Sequence, residues 1–179
     1  MQFSHKYCIY SILFNKFFIM NPLLNKEPVK RAEKAIKAFN SNLEIICLEK
    51  TARTAQDAAT ALGCNVGAIV KSLLFKTEDN FILCLVSGDK RCSLNKLKVI
   101  LNIKDVSMAH PNEVKKITGY TIGGVSPVGH LNKLKIYIDN NLERFTTIFA
   151  AAGHPNCVFK IDFKQLIILT NGKKKEITE

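Results

Sequence analysis

The chain has 179 residues, 47% of them hydrophobic and 23% charged, which excludes a disordered or fibrous protein and fits one globular domain that folds without disulfides or a structural metal. Lys and Arg number 26 against 15 Asp and Glu, a net charge of +11, so a polyanionic partner is expected, either nucleic acid or an anionic membrane surface. The six cysteines form no CxxC pair and no zinc-ligand spacing; Cys47 and Cys84 lie in apolar runs, and the set reads as reduced and structural in a cytoplasmic chain, with a catalytic thiol as the alternative.

Tyr7 to Met20 is apolar but broken by Asn15 and Lys16, too short to span a bilayer, and followed by no small-x-small cleavage pattern. Met20 therefore reads as the true start, residues 1–20 as an N-terminal extension and 21–179 as the domain. A weak membrane anchor is the rival reading of the extension. From Pro28 to Phe39 the apolar positions Val29, Ala32, Ile36 and Phe39 recur at helical spacing. A strand is expected over 43–48, then a short helix capped at Thr54 and stopped at Gly63. Two apolar runs, 68–75 and 81–87, flank Thr77-Glu78-Asp79-Asn80 and predict a hairpin.

Ser93 caps a predicted helix carrying Leu94, Leu97, Ile100 and Leu101, and Pro111 to Thr118 predicts another, closed by Gly119. A loop over 119–132 leads to a strand at 135–139. Phe145 to Ala152 is expected to be helical and to end at Gly153. A strand at 158–161, a helix over 163–170 capped by Asp162 and a last strand at 174–177 complete the chain. Hairpins and helices alternate without a regular βαβ repeat, so a mixed α+β fold is expected rather than a doubly wound sheet.

GxSxG, P-loop, HExxH and dinucleotide fingerprints are absent. Three features remain. Strand alternation puts Lys71 on the face of Ile69, Leu73 and Phe75, where an ammonium must meet an anion or reach water; an edge-strand lysine with its head in solvent is the plainer alternative. Gly119 to His130 holds four glycines and Pro127, a composition that lets several N–H groups approach one oxygen, or that simply connects a helix to a strand. His154, between Gly153 and Pro155, either lines a pocket or caps a helix C-terminus.

From about Val29 onward the chain resembles the YbaK / prolyl-tRNA-synthetase-associated editing-domain family of aminoacyl-tRNA deacylases. The resemblance rests on Thr51–Ala59, Gly67–Leu73, Leu85–Arg91, Ile122–His130 and Ala151–Asn156. It implies a single α/β domain on a mixed, barrel-like sheet and hydrolysis of the ester that joins a wrong amino acid to the 3′ end of a tRNA, without cofactor or metal. Lys71 stands where the family has its functional lysine, and Gly123 with Pro127 reproduces its GxxxP loop. The resemblance thus implies Lys71 as catalytic and Gly123, Gly124, Val125, Ser126, Pro127, Gly129 and His154 as substrate-binding. The expected partners are aminoacyl-tRNA and an aminoacyl-tRNA synthetase, with no membrane and a monomeric chain. The expected substrate is a small amino acid such as Cys or Ala, on tRNA-Pro. A non-catalytic module that binds tRNA ends or amino acids and regulates a partner is the alternative.

Overall fold

The computed structural model describes residues 21–49, 52 and 54–179; the readings for residues 1–20 lie outside them, as do Lys50, Thr51 and Arg53. Among the described residues, eight strands build an open mixed sheet and five α-helices cover both its faces. The helices are α1 (Glu27–Phe39), α2 (Ala55–Leu62), α3 (Leu94–Leu101), α4 (Pro111–Thr118) and α5 (Phe163–Thr170). The strands are β1 (Ile45–Cys47), β2 (Ile69–Thr77), β3 (Phe81–Ser87), β4 (Val106–Met108), β5 (Lys135–Asp139), β6 (Ile148–His154), β7 (Cys157–Ile161) and β8 (Lys173–Lys175).

Sheet order is β1-β7-β6-β2-β3-β5-β8, with β4 added to the outer edge of β2. The barrel-like closure implied by the family resemblance is therefore not seen: β1 and β8 end the sheet. The β2–β3 hairpin is antiparallel, whereas β2–β6, β3–β5 and β5–β8 are parallel. On one face, Val29, Ala32 and Ile36 of α1 and Phe163 and Leu166 of α5 pack on Val70, Leu74, Leu83, Leu85 and Ile138. On the other, Leu97 of α3 meets Phe75, Cys84, Val86 and Tyr137, and Ala58 and Ala59 of α2 meet Ile69 and Val158. Pleat alternation puts the even and odd residues of β2 onto these two faces.

Caps fix the helix ends. The Thr54 hydroxyl accepts from Asp57 N while the Asp57 carboxylate accepts from Thr54 N, and Gly63 closes α2 at φ +62°.

The sequence-based expectation included no strand at β4, Val106–Met108, and it differs from the structure most over residues 145–152. Phe145 to Ala152 is not a helix: a 3₁₀ turn covers Asn140–Arg144, and Ile148–His154 is the strand β6, paired with both β2 and β7. Alanine favours helices intrinsically, but here tertiary contacts override that preference. Ala150 and Ala152 are buried in the core that α1 shares, and a Cβ on Gly153 would come within 2.4 Å of the Pro28 carbonyl oxygen. Small residues are needed because α1 rides close over this strand. The last strand also starts earlier than expected, at Lys173.

Candidate active-site cleft

The site begins with an unevenly shared strand edge. The outer edge of β2 pairs with β6 only at Ile69 and Val70 and with β4 only from Phe75 to Thr77. Beyond these ladders, Ala109 N donates to Leu74 O at 3.0 Å. On this edge the stretch from Lys71 to Leu73 has no strand partner among the described residues, and a cleft of about 440 Å³ opens over it. Ala52, Ala55 and Ala58 form one wall, Met108 and Ala109 another, and Gly123 and Val125 of the glycine loop a third. Pro155 and Val158 approach from the β6–β7 turn and β7.

Lys71 lines this cleft and is half-buried. Its amine donates to the carbonyl oxygen of Lys90, in the turn after β3. Burial lowers its pKa from the ordinary lysine value, Asp89, Cys92 and Asp139 oppose that change, and Arg91 adds to it. The plainer reading of Lys71 as an edge lysine with its head in solvent is thus replaced by an amine held against the protein.

The turn that holds the amine is itself fixed. Arg144 donates to both carboxylate oxygens of Asp89, at 2.9 and 3.0 Å, and to Ser87 Oγ at 3.1 Å. The Ser87 hydroxyl lies 2.6 Å from the Gly67 carbonyl and 2.8 Å from Asp89 Oδ1, so its single proton serves one at a time. Burial pushes the Asp89 carboxyl up, but the Ser87 and Arg144 hydrogen bonds outweigh it and hold the pKa below the usual value. Gly88 is required by packing: a Cβ there would sit 2.0 Å from Val66 O.

The glycine loop is anchored from α1 and from within. Arg31 donates from Nε to Gly129 O at 2.7 Å and from Nη2 to Gly119 O at 2.9 Å, and the Tyr120 hydroxyl lies 2.8 Å from Val128 O and 2.9 Å from Gly129 O. Gly123 and Gly129 have φ +84° and +71°. The N–H of Gly124 is bonded to Thr121 O and that of Val128 to Ser126 Oγ, whereas those of Gly123 and Val125 have no partner among the described residues.

The eight residues expected to form the site do not all converge. Lys71, Gly123 and Val125 line one cleft. Gly124 packs on β6, where a Cβ would meet the His154 backbone at 2.8 Å. Ser126 is fully buried, its carbonyl 2.7 Å from His130 Nε2. Pro127 and Gly129 line a separate hollow of about 600 Å³ with Lys133, Lys135 and Lys173.

His154 ends a strand, which removes the helix C-cap reading, and its neighbour Pro155 is the residue that lines the cleft. Its Nδ1 accepts from Asn156 N at 3.2 Å and its Nε2 lies 3.3 Å from the Lys26 amine; burial and then the Lys26 charge lower its pKa. Sequence reasoning did not single out Ser87, Asp89 or Arg144. The first two stood within the family-like segment Leu85–Arg91, and nothing local pointed to Arg144.

An open mixed sheet with a lysine and a glycine loop lining one cleft is the architecture that comparison with known proteins assigns to a family. The chain belongs to the aminoacyl-tRNA editing domain family, matched over residues 49–169. It is 34% identical to the uncharacterized protein YwhH of Bacillus subtilis, over 72% of this chain and 82% of that one. It is 28% identical to EbsC of Enterococcus faecalis, a candidate Cys-tRNA(Pro)/Cys-tRNA(Cys) deacylase, over 70% and 77% of the two chains. A proline–tRNA ligase of Caldicellulosiruptor bescii is 29% identical over 80% of this chain, which spans only 23% of that enzyme. Among solved structures, a candidate trans-editing enzyme for prolyl-tRNA synthetase superposes with a TM-score of 0.82 at 36% identity, over 86% of this chain and 98% of that one. No helix among the described residues is long and apolar enough to cross a membrane.

Proposed function

We propose that this chain is a trans-editing aminoacyl-tRNA deacylase that hydrolyses the ester of a mischarged tRNA, with a small amino acid such as Cys or Ala on tRNA-Pro as its substrate. The observation that carries the reading is that Lys71, Gly123 and Val125 line one cleft, the N–H groups of the two loop residues having no partner among the described residues. An aminoacyl ester is already reactive, so positioning and charge stabilisation suffice without a protein nucleophile. Water adds to the carbonyl carbon, the bond to the ribose oxygen breaks, and that oxygen leaves with a proton supplied in turn by the water. Lys71 compensates charge on the developing oxyanion or on the terminal phosphate, and the two loop amides hold the ester carbonyl and the amino-acid backbone.

The alanine wall fits the amino acid, while Met108 and Ile122, 56% and 60% exposed on the cleft lining, offer an apolar rim to the terminal base. Gly124, Ser126, Pro127 and Gly129 contribute by shaping the loop, and His154 by seating Gly124. Incubation of the chain with a panel of mischarged tRNAs tests the reading. Deacylation is expected, and Lys71→Ala is expected to reduce it about a hundredfold or more with the fold intact. Near-normal rates in that variant refute the role of Lys71. Binding of tRNA without turnover by the unmodified chain would favour the non-catalytic module.

A further inference from the structure

Behind Lys71 lies a buried carboxylate that the proposed mechanism does not use. Strand register places it. Lys71 of β2 stands opposite Val86 of β3, and Leu85 of β3 is in parallel register with Ile138 of β5, which brings Asp139 level with Val86. Cys84, Val86 and Tyr137 share a single core with Phe75, so Lys71, Val86 and Asp139 form a row across one face of the sheet. Two strand spacings separate the ends of that row, about 10 Å between backbones, a gap that the long lysine side chain narrows.

Asp139 is completely buried. Its Oδ1 accepts from the Thr178 hydroxyl at 3.1 Å and from Asn141 Nδ2 at 3.2 Å, whereas Oδ2 has no partner among the described residues. A carboxylate taken out of water with one oxygen bare is costly unless a cation balances it. Lys175 of β8 stands in register with Asp139, but it is exposed and makes no ion pair with it, its ammonium free to reach water. Lys71 is the half-buried cation on the same face.

The C-terminal residues close the arrangement. Thr178 is buried against Asp139, Ser93 N donates to Ile177 O, and Glu179 N donates to Arg91 O, next to the carbonyl that holds the Lys71 amine.

We propose that Asp139 is a positioning residue whose buried carboxylate is the fixed counter-charge of Lys71. The inference rests on the reading of Lys71 as the functional amine. The other groups that act on that amine are Asp89, Arg91 and Cys92 in and after the turn following β3, with Arg144 paired to Asp89. Of these Asp89 acts most strongly on the amine, but it is exposed and shared with Arg144 and Ser87; Asp139 is the buried carboxylate with no ion-pair partner of its own among the described residues.

The test is the titration of Lys71 itself, read in the full chain as the rate of its acylation by acetic anhydride against pH, with the modified peptide quantified by mass spectrometry. In Asp139→Asn, Lys71 is expected to lose its proton at lower pH than in the unmodified chain, because a negative charge that favours its ammonium is removed. The alkaline limb of the deacylation profile is expected to move the same way. A folded Asp139→Asn variant whose Lys71 titrates as before overturns the proposal. If Asp139→Asn does not fold alone, Lys71→Met/Asp139→Asn decides: recovery of folding shows that the two charges balance each other, and failure to recover overturns the pairing. The labelling needs no substrate. A chain that hydrolyses no mischarged tRNA would therefore sink the functional reading while the Lys71–Asp139 pairing is still judged on its own.

Discussion

Gly124→Ala separates loop placement from general stability. The added Cβ would meet His154 at 2.8 Å from Cα, 2.9 Å from C and 3.0 Å from N. All three are backbone atoms at the end of β6, where His154 pairs with Cys157 of β7 and a Cβ on the preceding Gly153 would meet Pro28, so the loop is expected to lift away. Relieving contacts this short requires a displacement approaching 1 Å, at about 1–3 kcal/mol for an overpacked site. Gly123 and Val125 flank the lifted residue and move with it. A misplacement of ~1 Å at a reacting centre costs on the order of a hundredfold in rate.

Gly63→Ala is the control. Nothing lies within 4 Å of a Cβ at Gly63, but its φ of +62° strains any other residue, by about 1–2 kcal/mol. Both variants should therefore melt several degrees lower, at roughly 2–4 °C per kcal/mol for a chain of this size. Only Gly124→Ala should lose deacylation of mischarged tRNA at a temperature where both are folded. Equal activities in the two variants would refute the claim that β6 seats the loop.

Salt, acid and oxidant provide three more tests. With a net charge of +11, tRNA affinity should fall steeply and linearly on a log–log plot of binding against salt; a flat response would mean that another protein delivers the tRNA. The Asp89 carboxyl has a depressed pKa in the fold, so its contribution to stability is present above the ordinary carboxylate range and lost as pH falls through the folded value. Removing its guanidinium partner in Arg144→Gln should accordingly move the acid-unfolding midpoint, followed by circular dichroism, to higher pH.

Cys47 and Cys157 face each other across β1 and β7 with sulfurs 3.8 Å apart. Leu48 N donates to Asn156 O in the adjacent pair, which makes the cysteines a non-hydrogen-bonded pair, whose Cα atoms stand about 4.5 Å apart, within disulfide reach. Burial, then Cys47, pushes the Cys157 thiol up to about 12, so oxidised glutathione should enter at the half-exposed Cys47 and leave an internal disulfide. Mass spectrometry should show the loss of two hydrogens, and Cys157→Ser should abolish it.

Most of the fold was legible because its signals are local. Thr54 with Asp57, Ser93, Asp162, Gly63 and Gly119 mark helix ends through their own backbone chemistry, and the hairpin flanks a polar turn. Lys71 was legible as an anomaly of strand alternation. Its surroundings were not, since the Lys90 carbonyl and Asp89 come from one stretch and Asp139 and Arg144 from another far along the chain, which only the sheet brings together. The glycine loop gave composition but no direction, and hydrogen bonding alone separates the open amides of Gly123 and Val125 from the occupied ones of Gly124 and Val128.

The misread segment is the one on which the cleft depends. A helix at 145–152 would leave β2 with β4 alone on its outer edge, and the region over Lys71 would be solvent rather than a cleft. As a strand, β6 joins β2 for two residue pairs, and an irregularity in its pairing with β7 between Ala151 and His154 then interrupts the regular ladder. Bulges bend strands and end pairing in this way. The positive φ of Gly153 and its close approach to Pro28 place this irregularity under α1. Beyond the β2–β6 ladder, the outer edge of β2 from Lys71 to Leu73 has no strand partner among the described residues, and the glycine loop comes down on His154. The alanines and glycine that looked helical in isolation are therefore what lets a helix press on a strand, interrupt its ladder and open the cleft over Lys71.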